Sequence, residues 1–430
     1  MSSFRALGKV GICLCVYFSL QAQSTPDELL RRVRKEISGS VARSPNYTCT
    51  ETVSRITYSP AAAAGIACDS REAPDSAMLM MSKDRLRLDV GVSEAGEIFS
   101  WHGEKSFNEG DITRLVGYGN ISSGTFSTFL DAIFAESGPS FHFEREYTQG
   151  GRDVTVFSYV MPREKSGWKI FYGSASDAVV GYQGRFVVDS ETANLLALSI
   201  ESIDLFRFIS SYCGIRMSTE YHQVQLGSSM FVLPQRVKTV MLARGGAKAK
   251  EETEYSSCHQ FVGESTMHFE VPDSEGNPAA APKQELELPT GLTFRVRLAS
   301  RIDLDSSWVG DPVEGLLEEP LYGVKHELLA AKRARVLGRL VRLRSVEQPA
   351  RRVEVAFDWR QIDAGATIYR LAAHRQGAAD PDAPHLLDSP VSVQEEVPSQ
   401  TFFFKGDHPK VDSSFVSRWI TDKARQRPRP

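Results

Sequence analysis

Beyond its N-terminal run, the sequence has no apolar stretch near the roughly 18 residues that a membrane-spanning helix needs, so we expect no such helix. It lacks the GxSxG, HExxH, P-loop and strand-linked GxGxxG motifs that accompany common hydrolase, zinc-protease and nucleotide sites. It has no CxxC pair, which disfavours zinc. Its 50 basic and 54 acidic residues nearly cancel, and a net charge of −4 does not attract nucleic acid. We therefore expect no metal, no cofactor and no nucleic-acid partner, and we favour a protein that is not an enzyme.

What is present is an ordinary globular composition behind an export signal. With 41% apolar and 24% charged residues, the 430 residues suffice for two or three domains with buried cores. Arg5 and Lys9 precede the apolar run 10–20, and Ala22 supplies a small residue for cleavage. The pattern predicts a signal peptide over residues 1–22, with an uncleaved anchor as the alternative. We therefore expect a periplasmic or extracellular protein, with outer-membrane association left open.

Four of the six cysteines follow the predicted signal peptide: Cys49, Cys68, Cys213 and Cys258. An even number of cysteines in an exported chain is typical of disulfides, and four cysteines can pair in three ways. We favour Cys49–Cys68 and Cys213–Cys258, because each of these pairs lies within one local region of predicted sheet. Free buried thiols are the alternative.

An amphipathic helix is predicted over residues 23–44. Thr25 is a good N-cap, Pro26 suits the first helical position, and Glu28 completes a capping box. The apolar stripe at helical spacing consists of Leu29, Leu30, Val33, Ile37 and Val41. One face of this helix is therefore expected to be buried.

Residues 45–271 alternate between apolar and polar positions in nine or ten strands, interrupted by one helix within residues 123–136. The predicted fold is mainly β: an antiparallel curved half-barrel with one inserted helix, followed by a smaller β domain. The apolar stripe of the inserted helix is Phe126, Phe129, Leu130, Ile133 and Phe134. We interpret it as a hydrophobic ligand site on the concave face, with filled core as the alternative.

The C-terminal half is predicted to form a second unit. Its segments are a Pro-rich linker at 272–285, a small β-barrel-like domain at 286–375, a loose Pro/Asp-rich linker at 376–400, and a final segment at 401–430. Within the final segment, we expect a strand at 402–404 and a helix over 412–424.

A basic run in the second unit contains Arg333, Arg335, Arg339, Arg342 and Arg344. As a helix it would dock on an anionic membrane surface, whereas as strands it would form a polar outer face of the sheet. We prefer the strand interpretation and expect a basic surface there.

Two short patterns, His142-Phe-Glu144 and His268-Phe-Glu270, would place a histidine and a carboxylate on one face of a strand. A hydrolase could use such a pair, but a polar outer face is the favoured interpretation.

The patterns Phe186–Leu196 and Leu233–Val237 resemble those of periplasmic lipoprotein carriers and lipoprotein-sorting proteins, a resemblance that covers about half the chain. It implies binding of lipid acyl groups and no catalysis. Leu288–Gly291, Val296–Leu298 and Leu317–Pro320 are similar to the C-terminal β-barrel module of conjugation and type IV secretion channel proteins. The whole chain resembles exported proteins of diderm bacteria.

Together these observations predict a non-enzymatic cell-envelope protein that binds a hydrophobic ligand, such as a lipid or lipoprotein acyl chain, or an envelope protein partner. Peripheral membrane contact is also expected. The alternatives are a structural or interaction protein in envelope assembly or secretion, and a hydrolase.

Overall fold

A computed structural model describes residues 25–61, 68, 72–104, 106–107, 112–172, 176–261, 283–376, 400–406 and 411–422. The predicted signal peptide, the pattern His268–Glu270 and nearly all of both predicted linkers lie outside these residues.

The first part of the chain contains three α-helices among the described residues and a long series of strands. In chain order they are α1 (Pro26–Arg43), β1 (Tyr47–Pro60), β2 (Met78–Ser93), β3 (Gly96–Trp101), α2 (Ile112–Val116), α3 (Thr128–Phe134), β4 (Phe141–Gln149), β5 (Arg152–Met161), β6 (Lys169–Tyr172), β7 (Ser176–Val179), β8 (Tyr182–Asp189), β9 (Leu195–Ser202), β10 (Tyr212–Leu226), β11 (Ser229–Ala243) and β12 (Lys248–Gln260).

Ten of these strands form one antiparallel array in the order β4-β5-β8-β9-β10-β11-β12-β1-β2-β3. The chain therefore forms the predicted open antiparallel sheet with a helical insertion between β3 and β4. We define its inner face as the face that carries Val53, Leu86 and Phe186, each of them fully buried. The strands β6 and β7 form a separate small pair.

The inner face is covered by α1 and α3. The α1 helix begins as predicted, with the Thr25 hydroxyl accepting from the backbone N–H of Glu28, and it buries its apolar stripe. Phe134 on α3 contacts Phe186 and Phe141, with ring centres 5.1 and 5.6 Å apart. Burial of these large aromatic surfaces is the main force that holds the insertion on the sheet.

The second part of the chain consists of short strands. They are β13 (Gln284–Glu287), β14 (Thr293–Leu298), β15 (Pro312–Leu317), β16 (Leu321–Tyr322), β17 (Leu328–Ala330), β18 (Arg335–Val346), β19 (Arg352–Asp363), β20 (Thr367–Arg370), β21 (Ala372–Arg375), β22 (Phe402–Lys405) and β23 (Val416–Asp422). β18 and β19 pair antiparallel with each other and with β15, β20 and β22, and β13 pairs parallel with β20.

The two parts share one continuous sheet. The first half of β2 pairs with β18, with Ser82 opposite Val346 and Asp84 opposite Arg344, while its second half pairs with β3. In consequence, nineteen strands of the described residues belong to a single sheet.

The predicted C-terminal helix over 412–424 is wrong, because β23 occupies this segment. β23 pairs with β14 and β21 on its two sides, and it alternates between buried and exposed side chains. Trp419 is fully buried against Trp359 and Phe402, with ring centres 6.2 and 6.1 Å away. The apolar residues of this segment fit both a helical and an alternating period, and the available strand edges decide between them.

The predicted disulfide pairing is also wrong. The bonds join Cys49 to Cys258 and Cys68 to Cys213. Because β1 and β12 are antiparallel neighbours, the start of one strand lies beside the end of the other. Sheet pairing between distant segments, and not closeness in sequence, therefore sets the cysteine partners.

Three of the five arginines predicted to form a basic surface lie instead at the junction between the two parts. Arg339 donates to the carbonyl oxygen of His102 at 3.0 Å. Arg344 donates to the hydroxyl of Ser82 on β2 at 2.8 Å. The Arg342 guanidinium lies 4.5 Å from the centre of the Tyr118 ring. The prediction of a continuous basic surface is therefore wrong for these three arginines. The pairing of β18 with β2 encloses their side chains between the two parts of the chain, and we call this junction the seam.

The remaining two arginines of that set, Arg333 and Arg335, are exposed. Arg335 forms an ion pair with Glu314 at 2.6 Å. The preference for strand over helix in this segment is confirmed by β18.

Candidate functional site

An apolar pocket with a volume of about 310 Å³ lies between α3 and the inner face. Its walls include the side chains of Phe99, Ile112, Phe129, Trp168 and Tyr182. Phe129 meets the rings of Trp168 and Tyr182 edge-on, with ring centres 5.9 and 6.1 Å apart. Small-molecule sites commonly enclose roughly 300–1,000 Å³ with mostly apolar walls, and this pocket has the size and the lining for one narrow apolar group.

One side of the pocket opens to water through β6. Phe171 lines the pocket and is 56% exposed, which is unusual for so large an apolar side chain. Lys169 also lines the pocket, and its ammonium lies 3.6 Å from the carboxylate of Asp177. A mostly apolar interior, with the Glu97 carboxyl in its lining and a cation at its opening, suits a ligand that has an apolar chain and a polar end.

Of the five residues predicted to bind a hydrophobic ligand, Phe129 lines this pocket. The other four, Phe126, Leu130, Ile133 and Phe134, are buried in the continuous core between α3 and the sheet. The structure thus places the predicted stripe at the edge of the pocket, with most of its members serving as packing.

The sequence analysis missed Trp168 and Tyr182 as pocket residues. Tyr182 begins a strand and could have been found from alternation along β8. Trp168 lies in a connecting segment before β6, where no periodicity marks which way a side chain faces. Only the folding of β6 back over the inner face brings the two rings within 5.8 Å.

The loop that leads into α3 is held by two carboxylates from the inner face. Glu97 accepts from the backbone N–H groups of Gly124 and Phe126 at 2.7 and 3.0 Å. Glu251 accepts from the backbone N–H of Ser122 at 3.0 Å. Because this loop forms one wall of the pocket, the carboxylates position that wall.

A third inner-face carboxyl, Glu51, has no exposed surface, and among the described residues neither of its oxygens has a hydrogen-bond partner. Burial, reinforced by the negative charges of Glu97 and Glu251, raises the pKa of Glu51 well above its ordinary value. Burial likewise raises the pKa of Glu251 to about 7, although hydrogen bonds from Ser122 oppose the shift. The inner face therefore favours protonated carboxyls.

These raised pKa values predict that stability falls as pH rises. A carboxyl whose pKa is higher in the folded chain stabilises the fold fully below its unfolded pKa, and that contribution is lost as pH rises through the folded pKa. For Glu251 the window runs from 4.5 to about 7, and a shift of this size corresponds to about 3 kcal/mol. We expect the free energy of unfolding of Glu251→Gln, measured by urea denaturation, to equal that of the parent at pH 4.5. At pH 8 we expect it to be higher than that of the parent.

The matched control is Glu252→Gln, because Glu252 is the next residue of β12 and its side chain is 48% exposed. We expect this variant to leave the pH dependence of the parent nearly intact. If the free energies of unfolding of the parent and of Glu251→Gln differed by the same amount at both pH values, the raised pKa of Glu251 would be contradicted.

A second, polar groove of about 910 Å³ crosses the opposite face of the first sheet part. Its lining includes His142 and Glu144, the pair considered for hydrolysis. Arg185 donates from Nε to both carboxylate oxygens of Glu144, at 2.8 and 2.9 Å, and this lowers the pKa of Glu144. Glu144 is therefore an ion-pair partner on a polar face, and it is held in the ionised state.

No three His, Cys, Asp or Glu side chains of the described part converge in a way that could hold a metal ion. In the same part of the chain, no helix is both long and apolar enough to cross a membrane.

No protein-family model and no curated protein sequence matches the chain. Among solved structures, it is similar to a LolA superfamily protein from Nitrosomonas europaea, with 11% identity and a TM-score of 0.24 over 56% of this chain and 94% of that chain. It is similar to a domain from Vibrio parahaemolyticus named for outer membrane lipoprotein sorting, with 10% identity and a TM-score of 0.25 over 53% and 92% of the two chains. A DUF1329 family protein from Desulfovibrio piger has 10% identity and a TM-score of 0.23 over 58% and 98%.

One of these names contains the term lipoprotein sorting. The resemblance of the second part to secretion-channel modules stays a prediction. At such low similarity, the function is inferred from the geometry of the site itself.

Proposed function

We propose that this protein is an exported binding protein that holds one apolar chain, such as a lipid or lipoprotein acyl chain, in the pocket beside α3. The observation that carries the proposal is the pocket, which has aromatic and aliphatic walls, an opening at Phe171 and a cation at that opening. Burying an alkyl chain there would be favourable by about 0.8 kcal/mol for each methylene removed from water.

The two disulfides support the extracytoplasmic part of this proposal. They join Cys49 to Cys258 and Cys68 to Cys213. Such bonds persist in oxidising compartments and are rare in the cytosol of most organisms. They fit a protein that works in the periplasm or outside the cell.

Filling the pocket tests the proposal. Ala132 lies on α3 and lines the pocket, so Ala132→Phe places a ring where the chain would lie without removing any core side chain. We expect at least about tenfold weaker binding of a fluorescent fatty acid, because the added ring and the ligand cannot share one space. Native mass spectrometry of the chain from residue 23, with organic extraction, should show acyl lipid in the parent and little in the variant.

The control is Asp131→Phe, which adds the same ring to the same helix at an exposed residue outside the pocket lining. It should bind the probe as the parent does. Equal binding by the parent and Ala132→Phe, or a parent that purifies without lipid and does not bind the probe, would refute the pocket as an acyl site.

A further inference from the structure

A small hairpin formed by β16 and β17 stands apart from the large sheet. The two strands pair only with each other, with Leu321 opposite Ala330 and Tyr322 opposite Leu328. Leu321 and Ala330, at the base of the hairpin, are buried in the core of the second part. We call residues 322–328 the hairpin tip.

The hairpin tip displays a cluster of apolar side chains to water. Tyr322 is 51% exposed, Val324 is 73% exposed and Leu328 is 59% exposed. Among the described residues, these are three of the six large apolar side chains that are more than half exposed. Isolated exposed apolar residues are normal on protein surfaces, but three within seven positions form a patch that marks a contact site.

Hydrogen bonds within the turn define its conformation. The N–H of Gly323 donates to the carbonyl oxygen of Glu327 at 2.9 Å, and the N–H of His326 donates to the carbonyl oxygen of Gly323 at 3.0 Å. The Glu327 carboxylate accepts from the N–H of Lys325 at 2.9 Å. Internal bonds thus hold Val324 outward.

The hairpin and the residues just after it carry exposed cations and one exposed carboxylate, that of Glu327 in the tip. Lys325 at the turn and Arg333 just after β17 are both exposed, and neither forms an ion pair with a carboxylate of the described residues. The nearby carboxylates of Glu318 and Glu319 are already paired, with Arg297 at 2.6 Å and with Arg295 at 2.9 Å. Two cations without an ion-pair partner among the described residues, one at the tip and one beyond β17, therefore stand against the single carboxylate of Glu327.

We propose that the hairpin tip inserts into the headgroup region of an anionic lipid bilayer. Three apolar side chains on a convex tip provide too little area for a stable protein interface, which buries about 800 Å² on each partner. The same tip suits a lipid interface, where Val and Leu enter the acyl boundary, a tyrosine ring lies at the headgroups, and cations meet lipid phosphates. This contact is separate from the pocket beside α3 and does not depend on it.

The test is co-sedimentation of the chain from residue 23 with two kinds of vesicle, one of phosphatidylethanolamine with phosphatidylglycerol and one of phosphatidylcholine alone. We expect binding to the anionic vesicles, and a partition coefficient at least about tenfold lower for Val324→Asp with Leu328→Asp, since each of these side chains contributes about that factor on burial. The control is Met230→Asp, because Met230 is 55% exposed on a different hairpin; it should bind as the parent does.

Two further variants make the outcome decisive. Lys325→Glu with Arg333→Glu should remove the preference for anionic vesicles, whereas Ala132→Phe, which fills the pocket, should leave vesicle binding unchanged. All substituted side chains of the tip are exposed, so unchanged thermal unfolding should confirm the fold of its variants. No vesicle binding by the parent, equal binding by parent and tip variants, or equal binding to both vesicle types would overturn the proposal.

Discussion

Replacing Arg342 with methionine is expected to lower the free energy of unfolding by about 3 kcal/mol, because the change leaves a buried carboxylate without its main partner. Glu354 has no exposed surface, and it accepts from Arg342 at 2.8 and 2.9 Å. Among the described residues, only Arg352, at 3.0 Å, would remain to balance its charge. The variant would also lose the stacking of Arg342 on Tyr118, which joins the second part of the chain to the first.

Urea denaturation measures this effect, and a double variant isolates its cause. Arg342→Met combined with Glu354→Gln should recover part of the lost stability, because it removes the uncompensated negative charge while the amide oxygen still accepts a hydrogen bond from Arg352. Arg335→Met is the control, because its ion pair with Glu314 is solvent-exposed and should be worth about 1 kcal/mol or less. If the double variant were no more stable than Arg342→Met, the loss would not come from the uncompensated Glu354.

Replacing Cys49 and Cys258 with serine is expected to cost about 4 kcal/mol, because their bond closes a long loop of the unfolded chain. The two cysteines are 209 positions apart in sequence and lie on adjacent strands, β1 and β12. Chain entropy makes the stabilisation grow slowly with loop length, so this bond should be worth slightly more than the bond between Cys68 and Cys213, whose separation is 145.

Urea denaturation of the oxidised parent and of the double serine variant measures the difference in their free energies of unfolding. Peptide mapping without reductant should first recover a fragment that joins Cys49 to Cys258. A fragment joining Cys49 to Cys68 would contradict this pairing, and an equal stability of parent and variant would contradict the expected effect.

The strands of the first part could be predicted because the sequence pattern that indicates each strand lies within that strand. The strand β5, Arg152–Met161, lies within the range 45–271 that was expected to form strands, and its Val, Phe and Tyr residues favour sheet. The α1 helix could be predicted from its cap, because Thr25 and Glu28 act within a single turn. Such signals depend on neighbours in the sequence, and in these two elements the tertiary contacts agree with them.

The errors share one physical origin, which is contact between distant segments. The choice between helix and strand at 412–424 was set by free edges on β14 and β21, more than a hundred and about forty residues away in the chain. Arg342 is buried against Tyr118, which is more than two hundred positions away in the sequence. Cys49 bonds Cys258 because β12 lies beside β1. A pattern within one segment carries no information about which segment will lie beside it.

The sequence by itself determined the mainly β architecture, the capped N-terminal helix and the apolar stripe that includes Phe129. These follow from local periodicity and from the burial of apolar surface. Only the tertiary structure decided that Trp168 and Tyr182 complete a pocket with Phe129, that Glu51 and Glu251 are enclosed, and that three arginines of β18 form a seam. The physical reason is that pocket shape, pKa and ion pairing depend on the distances between side chains from separate strands, and the packing of the whole sheet sets those distances.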